Sequence, residues 1–212
     1  MKSALLLAAG LFLALGCRPA PKATSAVVYA PWETGLTLAY EDPRIPGEVR
    51  TAKRLQVRVS RTEPAPGGRI VELTFTTLRG QDTRRYLHRD GGVFLVDASG
   101  KPLRQILPDG FPQRTDRWAV EDNGVQRRNL FLGRATAAIP GLSLPRTVDP
   151  VGVWLETETV VPGAESVKLR TFLLPGIGEA ETWEWEAAAR RWTCISRLVA
   201  RGFTDLPSDA PR

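Results

Sequence analysis

Apolar and polar residues alternate along many short segments of this chain, and this alternation limits the possible fold more than any other feature. Successive side chains of a strand point to opposite faces, so a period of two predicts strands with one buried face. Two clear examples are KRLQVRVSR and RIVELTFTTLR, whose alternating apolar residues are Leu55, Val57 and Val59 in the first and Val71, Leu73 and Phe75 in the second.

Turn signals separate the alternating segments. Glycine, and to a lesser extent Asn and Asp, supply the positive φ angles that tight hairpins need. The predicted turns are 62–68, Asp90-Gly91-Gly92, Ser99-Gly100, Asn123-Gly124, Val161-Pro162-Gly163-Ala164 and Ala188-Ala189.

This spacing predicts a mainly β fold with about ten strands in one domain over residues 30–203. We expect an antiparallel sheet that is either a curled half-barrel or a sandwich, with little helix. Residues 103–117 and 136–150, rich in Pro and Gly, are predicted to be longer loops, and residues 204–212 a loose tail.

The first residues have the features of a secretory signal peptide. Lys2 supplies a positive charge, and an uncharged apolar stretch runs from Ala4 to Leu15. A membrane-spanning helix needs about 20 apolar residues, so this stretch is too short to be one. It fits the apolar region of a cleaved signal peptide, which we assign to residues 1–16.

The run Leu13-Ala14-Leu15-Gly16-Cys17 resembles the lipobox of bacterial lipoproteins. The family favours leucine where Ala14 stands and a small residue where Leu15 stands. The resemblance implies cleavage before Cys17, diacylglyceryl on its sulfur and an acyl group such as palmitate on its new amine.

Two or three acyl chains on Cys17 would exceed the anchoring threshold that a single chain does not reach. Residues 17–29 would form the lipidated cysteine and a tether, because Pro19 and Pro21 favour extended conformations. By resemblance, Arg18 in place of aspartate favours the outer membrane, if the host has one. We therefore expect a lipoprotein of the cell envelope.

The basic residues give a formal net charge of +6 and are scattered along the chain. Nucleic-acid binding needs a concentrated basic stripe with stacking aromatics, so we expect no nucleic-acid partner. The expected partners are the membrane, through the lipid, and possible further ones are another envelope protein or a lipid-like ligand.

Few residues suit metal or nucleophilic chemistry. With Cys17 lipidated, Cys194 has no disulfide partner and is predicted to be a buried, inert thiol on the same face as Leu198. His88 is the only histidine and is predicted to be a half-exposed strand residue, since no Gly-x-Ser-x-Gly motif accompanies it. We predict no catalytic residue, metal or cofactor.

Two pairs of glutamates are the remaining candidates for catalysis. Glu156 and Glu158 share a strand face, as do Glu184 and Glu186. Paired carboxylates are what a glycosidase uses, but this spacing is also typical of a solvated strand face. A carboxylate-based hydrolase is therefore the third functional hypothesis.

Three tryptophans are the candidate ligand-binding residues. Trp183 and Trp185 share a face, and Trp192 is expected beside them across a hairpin. Aromatic side chains dominate sheet packing, so a core cluster is one interpretation. The other is one wall of an apolar pocket or groove for an acyl chain or a cell-wall fragment.

Two further segments resemble bacterial envelope lipoprotein domains. VVYAPWETGLTLAYED matches their opening pattern at Pro31, Gly35 and Tyr40, although Leu38 departs from the usual aromatic residue. LLPGIGEAETWEW resembles their late strand, with PGIG at 175–178. The resemblance implies an antiparallel sheet that curves around a core.

The leading functional hypothesis is a non-enzymatic, lipid-anchored envelope protein that presents a β-domain for partner binding or envelope assembly. The alternative is a carrier or chaperone for a lipid-like ligand. A concave apolar face with an open mouth would favour the carrier, and a filled interior would favour the scaffold.

Replacing the Cys17 sulfur should release the protein from membranes. We expect the wild type to stay with the membrane fraction after a high-salt wash and Cys17→Ser to become soluble, because the acyl chains supply the anchor. Fractionation and mass spectrometry of the mature N-terminus measure this. A Cys17→Ser protein that still sediments with membranes would contradict the assignment.

Overall fold

The computed structural model describes residues 26–140, 142 and 148–203. The described chain forms twelve antiparallel strands in a single sheet. Their bounds are β1 Thr37–Glu41, β2 Leu55–Ala65, β3 Gly68–Thr77, β4 Gly80–Arg89, β5 Gly92–Val96, β6 Pro102–Leu107, β7 Arg117–Asp122, β8 Val125–Thr136, β9 Val151–Val160, β10 Val167–Leu174, β11 Gly178–Glu186 and β12 Arg191–Gly202.

The sheet consists of two six-stranded meanders joined in the middle. The strand order is β6-β5-β4-β3-β2-β1-β12-β11-β10-β9-β8-β7. All pairs except β1 with β12 join strands that are neighbours in sequence. The edges β6 and β7 approach each other, so the sheet curls into a nearly closed barrel. The prediction of a curled antiparallel sheet is confirmed, and the curled single sheet is the observed one of the two alternatives.

Two short helices accompany the sheet. A 3-10 helix spans Ala26–Tyr29, and α1 spans Gly47–Ala52 between β1 and β2. Ala26 and Tyr29 are buried, at 0% and 3% exposure. The folded domain therefore includes residues 26–29, which the sequence interpretation assigned to the tether. Cys17 and the predicted tail 204–212 lie outside the described residues.

The alternating segments occupy the strands that the sequence predicts. Val57, Val59, Val71 and Leu73 are between 0% and 7% exposed and lie in one hydrophobic cluster. Phe75 is partly buried against the same cluster. The polar residues between them lie on the outer face of β2 and β3, where Arg58 and Ser60 are exposed and the others are partly exposed.

Two of the predicted turns are two-residue hairpins with positive φ at both positions. Asp90 and Gly91 have φ of 50° and 76°, and Asn123 and Gly124 have φ of 51° and 75°. These values are typical of type I′ turns, whose twist matches that of the flanking strands. The sequence prediction of these two hairpins is confirmed.

Two of the predicted loops are longer than the observed ones. In place of a loop over 62–68, β2 and β3 continue until only Pro66 and Gly67 separate them. The predicted loop 103–117 contains most of β6, which Pro102 begins. Proline is tolerated there because β6 is an edge strand. Strands such as β4 and β6, which lack clear alternation, raise the number from about ten to twelve.

Two clusters of buried side chains form the core. One joins β1, β2 and β3 to the late strands and includes Leu38 and Leu198. The other forms where the 3-10 helix enters the barrel, and it includes Tyr29, Phe111 and Leu107. The 3-10 helix thus closes one end of the barrel.

A methyl group at Gly68 should destabilise the fold. A Cβ there would lie 1.8 Å from the carbonyl oxygen of His88, whereas a Cβ at Gly47 meets nothing within 4 Å. We expect Gly68→Ala to lower the free energy of unfolding by about 3 kcal/mol. Gly47→Ala, the control, should change it by less than about 0.5 kcal/mol. Urea unfolding measures both, and equal midpoints for Gly68→Ala and wild type would contradict the described register.

Candidate ligand-binding cavity

The curled sheet encloses a cavity of about 410 Å³. This volume lies in the range of small-molecule sites. Much of its wall is formed by the apolar residues that strand alternation directs inward, among them Leu38, Val57, Leu73, Val93, Leu155 and Leu173. The interior is therefore only partly filled by side chains.

One end of the cavity is closed by the segment that contains the 3-10 helix. The rings of Tyr29 and Phe111 meet edge to face with centroids 5.7 Å apart. Trp32 lies against Tyr86 at 4.7 Å. Val93, which lines the cavity near this end, is fully buried. Water is thus excluded from this end.

The other end is more open and more polar. Thr159 and Leu169 line the cavity there, next to the connection between β9 and β10. Both are partly exposed, and the Arg84 side chain is 51% exposed. The mouth of the cavity therefore lies opposite the 3-10 helix.

Three arginines line this polar part, namely Arg84, Arg104 and Arg127. Arg84 donates to Asp82 at 2.8 Å and lies over the Phe75 ring at 4.8 Å. The other two differ, because Arg104 Nε and Arg127 Nη1 are buried atoms without a hydrogen-bond partner. Buried donors that lack a partner are uncommon in folded proteins.

Burial and positive neighbours act on Arg104. Burial lowers its pKa, and the nearby charge of Arg127 lowers it further. Tyr86 and Asp122 act in the opposite direction. A negative charge beside the Arg104 guanidinium would therefore stabilise its protonated form.

Glu179 is the carboxylate among the described residues that line the cavity. Thr182 donates to its Oε1 at 2.6 Å, and the hydroxyl of Tyr40 donates to its backbone carbonyl at 3.0 Å. Burial raises the pKa of Glu179. The side chain is exposed to the cavity, and the hydrogen bond from Thr182 partly opposes the effect of burial on the pKa.

The three candidate tryptophans do not line this cavity. Trp183 pairs with Cys194, and Trp185 pairs with Trp192, on the outer face of β11 and β12. Trp183 and Trp192 line a separate outer groove of about 360 Å³. All three side chains are partly exposed, so they form neither an interior cluster nor a wall of the interior cavity.

The outer groove is built around a cation and tryptophan rings. Arg170 lies over the Trp192 ring at 4.1 Å and donates to Glu156 at 2.9 Å. Trp185 and Trp192 have centroids 5.5 Å apart. Trp192 thus lies beside Trp185 across the hairpin, as the sequence predicts.

An extra residue in β12 changes the face of the following side chains. Trp183 pairs with Cys194, but Thr182 pairs with Ser196, so the register shifts between them. Cys194 consequently faces outward, while Leu198, which pairs with the inward Tyr40, faces inward. The prediction that Cys194 and Leu198 share a face is wrong. The prediction of a buried Cys194 thiol is confirmed, and burial raises its pKa.

His88 is more buried than the sequence indicates. It is 4% exposed and lies against Trp32, with ring centroids 5.4 Å apart. Arg69 Nε donates to its Nδ1 at 3.4 Å, and its Nε2 is buried without a partner. The prediction of a half-exposed histidine is wrong, because Trp32 covers the ring.

The glutamate pairs of the third hypothesis are held in ion pairs. Glu156 pairs with Arg170 at 2.9 Å, and Glu158 with Lys168 at 3.5 Å. Glu186 likewise pairs with Arg191, at 3.2 Å. Such pairs are what a solvated strand surface presents, and none of these glutamates lines the interior cavity.

The described residues contain no group of three or more His, Cys, Asp or Glu side chains placed to hold a metal ion. In the same part of the chain, no helix has the length and apolar character needed to cross a membrane.

The sequence interpretation missed Arg104, Arg127 and Glu179. A signal for Arg127 is present, because Arg127 and Arg128 are consecutive in a predicted strand. Neighbouring strand residues face opposite sides, so one of these two arginines must point inward in either register.

No protein-family model matches this chain, and no curated protein matches it. Two solved structures are similar. One is a protein of Bacteroides fragilis described as exported and as having a YmcC-like fold, with 14% identity, 81% of this chain and 97% of that chain covered, and a TM-score of 0.47. The other is a protein of Parabacteroides distasonis described as a lipoprotein, with 14% identity, 80% and 96% coverage, and a TM-score of 0.45. At these values the similarity assigns no role to any residue of this chain.

Protonation of His88 should oppose folding. Burial, and then the charge of Arg69, lowers its pKa from 6.5 to about 4. Between these values the unfolded chain binds a proton that the folded chain does not bind. The free energy of unfolding should therefore fall by up to about 3 kcal/mol as the pH falls from about 7 to 4.

Nuclear magnetic resonance can follow this residue directly, because the sequence has one histidine. We expect a titration midpoint near pH 4 in the folded protein, and a shallower pH dependence of stability in His88→Gln. A midpoint near 6.5 in the folded protein would contradict the described burial.

Proposed function

We propose that this chain is a non-enzymatic, lipid-anchored protein of the cell envelope that binds one lipid-like ligand inside its curled sheet. The anchor is the acylated Cys17 inferred from the lipobox resemblance. The ligand site is the interior cavity. This is the carrier alternative of the sequence interpretation, now with a different set of binding residues.

The observation that carries the proposal is the unfilled interior. Protein cores are normally packed as densely as organic crystals, with few voids larger than a water molecule. A purely scaffolding role does not require a cavity of about 410 Å³ between the strands. A mainly apolar wall with one polar end is typical of a site for a small amphiphilic molecule.

The lining residues support binding more than catalysis. Glycoside hydrolysis of the usual kind needs two carboxylates, and Glu179 is the one carboxylate in the described lining. Ser196 belongs to that lining but His88 does not, so the cavity offers this hydroxyl no histidine base. The Cys194 thiol, the other possible nucleophile, does not line the cavity either.

The lipid anchor would place the binding domain in the envelope, at the outer membrane if the host has one. Partner binding or assembly, the leading hypothesis from the sequence, stays a prediction, and the outer groove with Trp183 and Trp192 is a surface on which it could act.

Filling the cavity with a large side chain should abolish ligand binding. Thr171 lines the cavity between its strand partners Leu155 and Thr182. We expect wild-type protein, extracted from host membranes in mild detergent, to carry a non-covalent ligand mass in native mass spectrometry. Thr171→Trp should lose this mass because the indole occupies the site.

The matched control is Leu130→Trp. Leu130 lies on the outer face of β8, is 37% exposed and does not line the cavity. This variant should keep the ligand mass. Wild-type protein without any non-covalent mass would contradict the proposal, and so would a mass that both variants retain or both lose.

A further inference from the structure

Arg104 and Arg127 lie on opposite sides of the seam where the barrel is not closed by backbone pairing. Arg104 belongs to the edge strand β6. Arg127 belongs to β8 and pairs with Val120 of the other edge strand, β7. Both arginines line the cavity, so the curl of the sheet places two cations from near its opposite edges in the same cavity.

Each of these arginines has an unused donor. Arg104 Nε and Arg127 Nη1 are shielded from solvent and have no hydrogen-bond partner in the described structure. Guanidinium groups bind carboxylates and phosphates through two parallel hydrogen bonds. Such an anion would satisfy these donors and relieve the repulsion between the two charges.

The acidic residues around this pair leave room for an external anion. Asp82 is engaged by Arg84 at 2.8 Å. Asp122 acts on Arg104 at longer range without a hydrogen bond to it. Glu179, on the cavity wall, accepts a hydrogen bond from Thr182 at 2.6 Å and is the one carboxylate beside three arginines in the described lining. The cavity therefore has an excess of positive charge.

We propose that Arg104 and Arg127 together bind the single anionic head group, a carboxylate or a phosphate monoester, of an amphiphile whose apolar chain occupies the cavity. This assignment rests on the proposed function, whose ligand class it specifies.

The order of charged and apolar residues along the cavity wall sets the orientation of the ligand. Arg127 pairs with Thr159 of β9, and the apolar Leu155 lies four residues further along that strand. Four residues span roughly 13 Å at about 3.3 Å per residue, which is comparable to an extended medium-length alkyl chain. The chain would extend from the arginines toward the closed end near Tyr29.

The test compares three probes with the same alkyl chain, namely decanoate, decyl phosphate and decanol. Isothermal titration calorimetry is performed on the full-length protein after any non-covalent ligand has been removed from the cavity. We expect the wild type to bind an anionic probe at least about tenfold more tightly than decanol. Arg104→Gln and Arg127→Gln should each weaken the anionic probe by about tenfold or more and leave decanol unchanged.

Arg128→Gln is the matched control. Arg128 is the next residue of the same strand, has a 61% exposed side chain and pairs with Glu158 on the outer face. Its removal should leave all three affinities unchanged. Tighter binding of decanoate would identify the head as a carboxylate, and tighter binding of decyl phosphate would identify it as a phosphate; either result supports the inference.

Stability gives a second readout. Without ligand, Arg104→Gln and Arg127→Gln should unfold at a higher urea concentration than the wild type, because each removes a buried and repelled charge. Lower midpoints for both variants would show that these arginines support the fold, and would overturn the inference.

The outcomes separate the two proposals. If decanol binds as tightly as decanoate and Arg127→Gln changes neither, the cavity binds ligand but the arginines do not select it, and this inference is wrong. If no probe binds and native mass spectrometry finds no ligand mass, the proposed function fails as well.

Discussion

The pairing of β1 with β12 holds the two halves of the sheet together. The other strand pairs all join sequence neighbours, so each six-stranded meander can form from local hairpins. Only β1 and β12 bring the two meanders side by side, and closing such a long loop has the highest entropic cost in the fold. The side chains at this junction, Leu38, Tyr40 and Leu198, are all buried in one cluster, and their burial offsets that cost.

Bulges next to this junction decide which side chains reach the cavity. In β11 the register shifts so that Glu179 pairs with Leu173, whereas Glu181 pairs with Phe172. Glu179 therefore faces the cavity, while Glu181 pairs with Arg197 on the outer face at 2.7 Å. Because one extra residue reverses the face of the following side chains, bulges re-aim functional groups while the strand continues on both sides of the bulge.

The sequence contains enough information for the strands and many turns, but not for the site. The inward positions of Val57 and Val59 follow from alternation, and the turn at Asn123 follows from its chemistry. The tryptophans lie on the outer face and not in the interior. The sequence does not predict this, because alternation shows only that Trp183 and Trp185 share a face, and not which face. Their role in ligand binding stays a prediction. The proximity of residues on β6 and β8 depends on the curl of the whole sheet, which no local pattern contains.

The inverted pattern of β8 connects the fold to the proposed site. Its leucines, Leu130 and Leu132, are 37% and 41% exposed on the outer face, while Arg127 and Asn129 line the cavity. The opposite orientation would bury these leucines, and it would direct Arg128 inward in place of Arg127. A one-residue slip would produce that orientation, but the pairing with β9 opposes Asn129 to Thr157, whose hydroxyl donates to its amide oxygen at 2.9 Å. A strand that exposes its leucines and directs Arg127 and Asn129 into the cavity conflicts locally with stability, and such conflicts are concentrated where proteins bind or react.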